Sequence, residues 1–135
     1  MKSVLLFIWE LPQNILGIII VLFTKAKPRK FKNESIKFYF TNYAYFGVSL
    51  GRFIILGSHY ESVDIKHEFG HQKQSSYLGW FYLLIIGLPS LCGNIYDRIV
   101  HKYWNTFNRI KWYYNQPWEK WADKLGNVNR FNSGV

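Results

Sequence analysis

The chain of 135 residues holds one cysteine, Cys92. A disulfide framework is therefore excluded, and so is a zinc finger or ribbon built on cysteine ligands. Acidic residues are scarce, 8 Asp and Glu against 17 Lys and Arg, which leaves a net charge of +9. That surplus fits nucleic acid, anionic lipid or plain solubility and does not choose among them. No internal repeat, low-complexity tract or recognisable DNA- or RNA-binding motif is present, so no nucleic-acid partner is expected. Aromatic residues, by contrast, make up 20% of the chain, which excludes disorder. The length sets a single domain, 1–135, as the expectation.

Two apolar stretches dominate. The first runs from Val4 to Phe23. Only Lys2 precedes it and no small-residue cleavage site follows, so it reads as a retained segment and not a secretory signal. It is long enough to span a bilayer. However, Glu10, Pro12, Gln13 and Asn14 lie near its middle, which makes it a broken span or a hairpin that dips in and returns. A basic run follows, Lys25, Lys27, Arg29, Lys30 and Lys32. It either holds that end on the cytoplasmic side or faces anionic headgroups. The second stretch, Tyr77 to Tyr96, is interrupted by Gly87-Leu88-Pro89 and carries Tyr77, Trp80, Tyr82 and Tyr96, residue types of the membrane–water interface. The competing reading is a core hairpin of a soluble protein. Two such stretches exceed the needs of so small a core, so a lipid bilayer is an expected partner. The abundance of Lys, Ile, Asn and Tyr points to a bacterial source; the expected location is an inner membrane, with the site on its cytoplasmic side.

Residues 36–56 read as strands, with turns at Thr41-Asn42 and Gly51. Ser62 is placed to cap a helix over 62–75, and 97–115 reads as a basic, aromatic helix. Pro117 opens a last helix over 116–125, Gly126 closes it, and 127–135 reads as a frayed tail.

The chemistry lies at His67-Glu68-Phe69-Gly70-His71, an H-E-x-x-H pattern. Histidines four apart on a helix stand on one face and can grip one Zn²⁺. Glu68 lies beside that face, where it can act on a water held by the metal without being a ligand. Gly70 leaves little bulk beside the metal. Downstream, Glu119 and Asp123 are also four apart on an expected helix. A carboxylate there can be the third ligand, and one a turn on can hold a ligand histidine. The bland readings are two solvated histidines and two surface carboxylates beside Lys120 and Lys124. Against the second, Glu119 is flanked by Trp118 and Trp121. His59 reads as structural or solvated, and Cys92 as a small hydrophobe.

H-E-x-x-H followed by E-x-x-A-D resembles the gluzincins, the thermolysin-like zinc metallopeptidases. The resemblance implies one Zn²⁺ on His67, His71 and Glu119, with Glu68 as general base and Asp123 orienting a ligand histidine. It also implies that the strand ending at Arg52–Leu56 is an edge strand that pairs with a peptide substrate. The family's downstream transition-state donor has no clear match, and His101, Tyr113 and Tyr114 are the candidates. The fold it implies is α+β: a minimal zincin-like core of short antiparallel strands, the H-E-x-x-H helix and a third-ligand helix, with membrane-embedded or re-entrant hairpins.

One constraint ties the two readings together. Residues 77–96 lie between His71 and Glu119, and a single crossing would place the ligands about 30 Å apart. A shared metal therefore requires 77–96 to be a re-entrant or surface hairpin, with Gly87-Leu88-Pro89 as its break. An intramembrane site of the site-2 protease kind is disfavoured by Asp64, Lys66, Gln72, Lys73 and Gln74 around the motif. The function expected is a membrane-associated zinc metallopeptidase acting on a peptide or protein at the membrane surface. In so short a chain its site is shallow or narrow in range, or is completed in a homo-oligomer. The alternative is a small membrane subunit or adaptor with a structural or vestigial zinc site.

Overall fold

A computed structural model describes residues 1–29, 37–44 and 46–130. Lys30, Lys32, Ile36 and the tail beyond Arg130 lie outside the described residues. In chain order the elements are α1 (Lys2–Trp9), α2 (Leu11–Thr24), β1 (Lys27–Arg29), β2 (Lys37–Phe40), β3 (Gly47–Leu50), β4 (Phe53–Leu56) and α3 (Ser62–Leu78), followed by α4 (Leu88–Val100), α5 (Thr106–Tyr114) and α6 (Pro117–Leu125). The fold is α+β, with a small open sheet and the H-E-x-x-H helix α3 packed on the third-ligand helix α6.

The sheet order is β1-β2-β4-β3. It is mixed and not wholly antiparallel as expected, because β2 runs parallel to β4. The strand expected at the edge, β4, is central, and β3 is the edge. The reason is visible in the side chains. Phe53, Ile54, Ile55 and Leu56 are apolar without alternation and all buried, the mark of a strand covered on both faces. Ile54 and Leu56 join Phe38 in a cluster packed by Ile65 and Phe69 of α3. On the other face, Gly17 of α2 lies against Phe53. The β3–β4 turn is where expected: Gly51 has φ +61°, and Asn14 Oδ1 accepts from the Arg52 N–H at 2.7 Å.

Helix α3 starts at Ser62, but its cap is Glu61 and not Ser62. Glu61 accepts from the Asp64 backbone while Asp64 Oδ2 accepts from the Glu61 N–H at 2.8 Å, a reciprocal box. Gly87-Leu88-Pro89 does not break the chain. A π-helical turn, Leu83–Gly87, runs straight into α4, and its longer bonds shift the ladder just before Pro89, which has no N–H to give. Leu83–Val100 is thus one helix, long and apolar enough to cross a membrane. The reversals lie instead at Gly79, with φ +53°, and at 101–105, where the expected 97–115 helix is divided. From there α5 folds back along α4, fastened by Arg109 Nη2 to Asp97 Oδ2 at 2.7 Å and by Tyr96 stacked on Trp112.

Two backbones in contact set the spacing of α3 and α6. A Cβ at Gly70 would lie 1.8 Å from the Ala122 carbonyl oxygen, and one at Gly126 2.0 Å from that of Lys66. Gly70 therefore serves helix packing and does not simply clear space at a metal. Gly126 ends α6 with φ −86°, so its smallness and not a left-handed turn is what the site uses. Gly70→Ala is expected to cost about 3 kcal/mol of stability, the upper end for overpacking because the obstacle is backbone. An unshifted unfolding midpoint would contradict this packing.

Candidate metal centre

His67 and His71 are one turn apart on α3, and Glu119 is in the first turn of α6. All three are buried, Glu119 completely. His67 Nε2 and His71 Nε2 each lie 3.1 Å from Glu119 Oε2. One ligand atom from each residue falls within 4.8 Å of the others, which makes a His-His-Glu triad of the kind gluzincin peptidases use for zinc. Tetrahedral zinc with bonds near 2.0–2.2 Å places its ligand atoms about 3.3 Å apart. Both nitrogen–oxygen separations are close to that spacing.

The ring orientations are fixed from behind. His67 Nδ1 donates to Asp123 Oδ1 at 2.6 Å, and His71 Nδ1 to Gln74 Oε1 at 2.7 Å. Gln74 is itself turned by its own donation to the Trp118 carbonyl at 2.8 Å. Both Nε2 atoms therefore face inward, which is the ring setting a metal needs. Asp123 is held by Arg130 Nε at 2.8 Å, and the Arg130 guanidinium lies 3.5 Å over the Tyr114 ring. The other Glu119 oxygen accepts from Ser90, which in turn receives the Tyr113 hydroxyl at 3.0 Å. Glu68 is buried beside the triad, with Oε2 unpartnered.

Of the expected site residues, His67, Glu68, His71, Glu119 and Asp123 are brought together. Tyr113 and Tyr114 are adjacent, the latter edge-on to His67 at 5.0 Å. His101 is not. It bonds Asp97 and stacks on Trp104 at the far end of the α4–α5 hairpin, about 16 Å along the helix from Ser90. Gln74, Ser90 and Arg130 were not read from the sequence. Gln74 was legible, since it stands three residues past His71 on the same helix face. Ser90 and Arg130 carry no local signal, and Arg130 lies in a segment expected to fray. No protein-family model, curated protein or solved structure matches the chain, so the reading stands on geometry.

Burial pushes the His67 pKa down, but the bonds to Asp123 and Glu119 and the nearby charges outweigh it, giving about 9. Burial likewise works to raise Glu119, and the two histidines hold it well below the usual carboxylate range. Burial raises Glu68.

The raised His67 pKa stabilises the metal-free fold fully below about 6.5, and that contribution is lost as pH rises through about 9. Zinc must displace the same proton, so its affinity, measured by chelator competition, is expected to climb from pH 6.5 to about 9. A flat profile contradicts the wiring. Gln74→Leu is expected to weaken zinc binding by about 10–100-fold, and unchanged affinity would remove Gln74 from the site.

Proposed function

We propose that the protein is a zinc-dependent peptidase acting on peptides at a membrane surface. The observation that carries the reading is the ligand count. Among the described residues the cluster offers three donors, and a buried carboxylate with an unpartnered oxygen lies beside it. Structural zinc sites are closed by four protein ligands, whereas three leave a position for chemistry.

Zinc, when bound, supplies a Lewis acid that polarises the scissile carbonyl and acidifies a water. The rest is the work of the chain. Glu68 takes the water's proton on Oε2 and delivers it to the leaving amine nitrogen. Burial raises its pKa, which makes the carboxylate a better proton acceptor. The Asp123 carboxylate and Gln74 amide keep the histidine rings from turning. The Tyr113 proton is engaged by Ser90, because Ser90 spends its own on Glu119. That leaves Tyr114, whose pKa burial raises, as the phenol that donates to the oxyanion.

The substrate strand is placed by β3 in this reading. Leu50 pairs with Phe53 and Val48 with Ile55, so Gly47 and Ser49 direct their backbone groups away from β4. Tyr82 OH occupies the Ser49 carbonyl at 3.0 Å. Gly47 is exposed, and its hydrogens face Glu68 Oε1, which a Cβ would meet at 3.1 Å. An extended peptide pairing at Gly47 therefore lies beside the base.

Glu68→Gln is expected to retain zinc and lose at least about a hundredfold in hydrolysis of a peptide library; equal activity would sink the mechanism. Tyr114→Phe is expected to lower kcat by about tenfold or more with little change in KM. An unaltered kcat would exclude Tyr114 as donor. Chelation tests the structural-zinc alternative: a catalytic centre leaves the helical circular dichroism intact, whereas loss of the fold favours a structural metal.

A further inference from the structure

Helices α1 and α2 have the reverse of an ordinary amphipathic distribution. α1 buries no residue, and α2 buries only Gln13, Asn14 and Gly17. Glu10, between them, is 0% exposed, while ten large apolar side chains from Val4 to Phe23 are exposed, with Leu22 at 72% and Phe23 at 87%. A helix pair in water buries its apolar stripe and shows its polar one. Here the polar groups are turned inward and engaged. Gln13 Nε2 donates to Ser75 Oγ at 3.0 Å and to the Gly79 carbonyl at 2.7 Å. Asn14 Nδ2 donates to the Phe7 carbonyl at 2.9 Å, and Glu10 accepts from Ser76 Oγ at 3.2 Å.

The helix ends are sealed in the same way. Pro12 has no N–H, so the carbonyl four residues earlier, that of Ile8, loses its helical donor. Trp80 Nε1 supplies one at 3.0 Å. In return, Trp9 Nε1 donates to the Ser76 carbonyl in the last turn of α3 at 3.0 Å. Both indoles are about half exposed, at 46% and 57%. Water at such a surface would satisfy these carbonyls unaided. Closing them with side chains matters where water is missing. Ile20 of α2 and Leu83 pack against one core cluster, and the helix Leu83–Val100 that starts there carries Leu84, Leu88, Leu91, Ile95 and Ile99 as an exposed stripe. Lys2 opens α1, and Lys25, Lys27 and Arg29 follow α2.

We propose that the α1–α2 elbow and the outer stripe of Leu83–Val100 form one docking face that sits in a single leaflet of an anionic phospholipid bilayer without crossing it. The topology excludes a crossing. His71 and Glu119 belong to one cluster, so the chain between them crosses an even number of times. Leu83–Val100, about 27 Å long, is the one element there that approaches the thickness of the hydrocarbon core, and α5 at about 14 Å cannot return. α2 measures about 21 Å, and α1 leaves it at 83°. The bases beside α1 and α2 match anionic headgroups, and Trp9 and Trp80 are the residue type that settles at that depth. The inference depends on the triad being one cluster and not on hydrolysis.

The test uses the full chain, exchanged from detergent onto sealed vesicles of phosphatidylcholine with phosphatidylglycerol. Wild type is expected to float with the vesicles, and lipids brominated on the acyl chains are expected to quench its tryptophan fluorescence. Trp9→Phe with Trp80→Phe is expected to remove most of that quenching. Ile19→Lys with Leu22→Lys is expected to weaken vesicle binding by at least about tenfold while zinc content, read separately, is unchanged. In a Cys92→Ser chain, cysteines at Lys25→Cys and Lys102→Cys are both expected to react with an impermeant maleimide added outside. Folded, zinc-loaded protein that does not float would overturn the proposal. So would one of the two cysteines being protected until the vesicles are opened, or a detergent-free dimer that hides the face from lipid. Loss of zinc binding in wild type would count against the metal reading instead.

Discussion

The approach of α6 to α3 is the contact on which the metal centre rests. Gly70 meets the Ala122 carbonyl and Gly126 meets that of Lys66, so the two helices touch backbone to backbone. Any larger residue at position 70 would push Glu119 and Asp123 away from the histidines. The same contact explains the economy of the site. One helix carries both histidines and Glu68, and the other carries Glu119 and the carboxylate behind His67. Two short elements therefore define a centre that needs little else from a chain of 135 residues.

The remaining fold serves to steady that pair. The sheet covers one side of α3 through Ile54 and Leu56. It is itself covered by α2, whose Asn14 holds the β3–β4 turn. The α4–α5 hairpin reaches back with Ser90 and Tyr113 to take the outer oxygen of Glu119. The path between His71 and Glu119 is long in sequence, yet the hairpin makes it short in space. The protein's apolar side chains exceed what so small a core buries, so a large apolar surface is exposed around a polar centre. The lipid-docking face proposed above accounts for that exposure.

What could be read from sequence was what is local and periodic. The i,i+4 spacing of His67 and His71, and of Glu119 and Asp123, was legible because a helix makes spacing into geometry, and the structure brings the four side chains together. The Gly51 turn was legible for the same reason. Long-range facts were not. The resemblance makes the strand ending at Arg52–Leu56 an edge, although the unbroken apolar run Phe53–Leu56 marks a strand buried on both faces. Gly87-Leu88-Pro89 was read as a break, although a π-helical turn accommodates the proline. His101 is chemically suitable as a donor, but only the pairing of α4 with α5 shows that it lies at the wrong end. Gln74, Ser90 and Arg130 act through partners 44, 29 and 7 residues away. Nothing in the residue types announces those pairings, except that Gln74 shares a helix face with His71. Glu10, Gln13 and Asn14 were legible as a disruption of an apolar stretch, but not as the side that faces inward.

The central claim is that His67, His71 and Glu119 hold one metal ion between α3 and α6. Its most direct test is the zinc content of detergent-purified protein by mass spectrometry, for wild type beside His71→Ala and Glu119→Ala. The account predicts about one zinc per wild-type chain, with both variants depleted although folded. Folded wild type that takes up no zinc when zinc is offered, or that keeps it after loss of Glu119, would contradict the account.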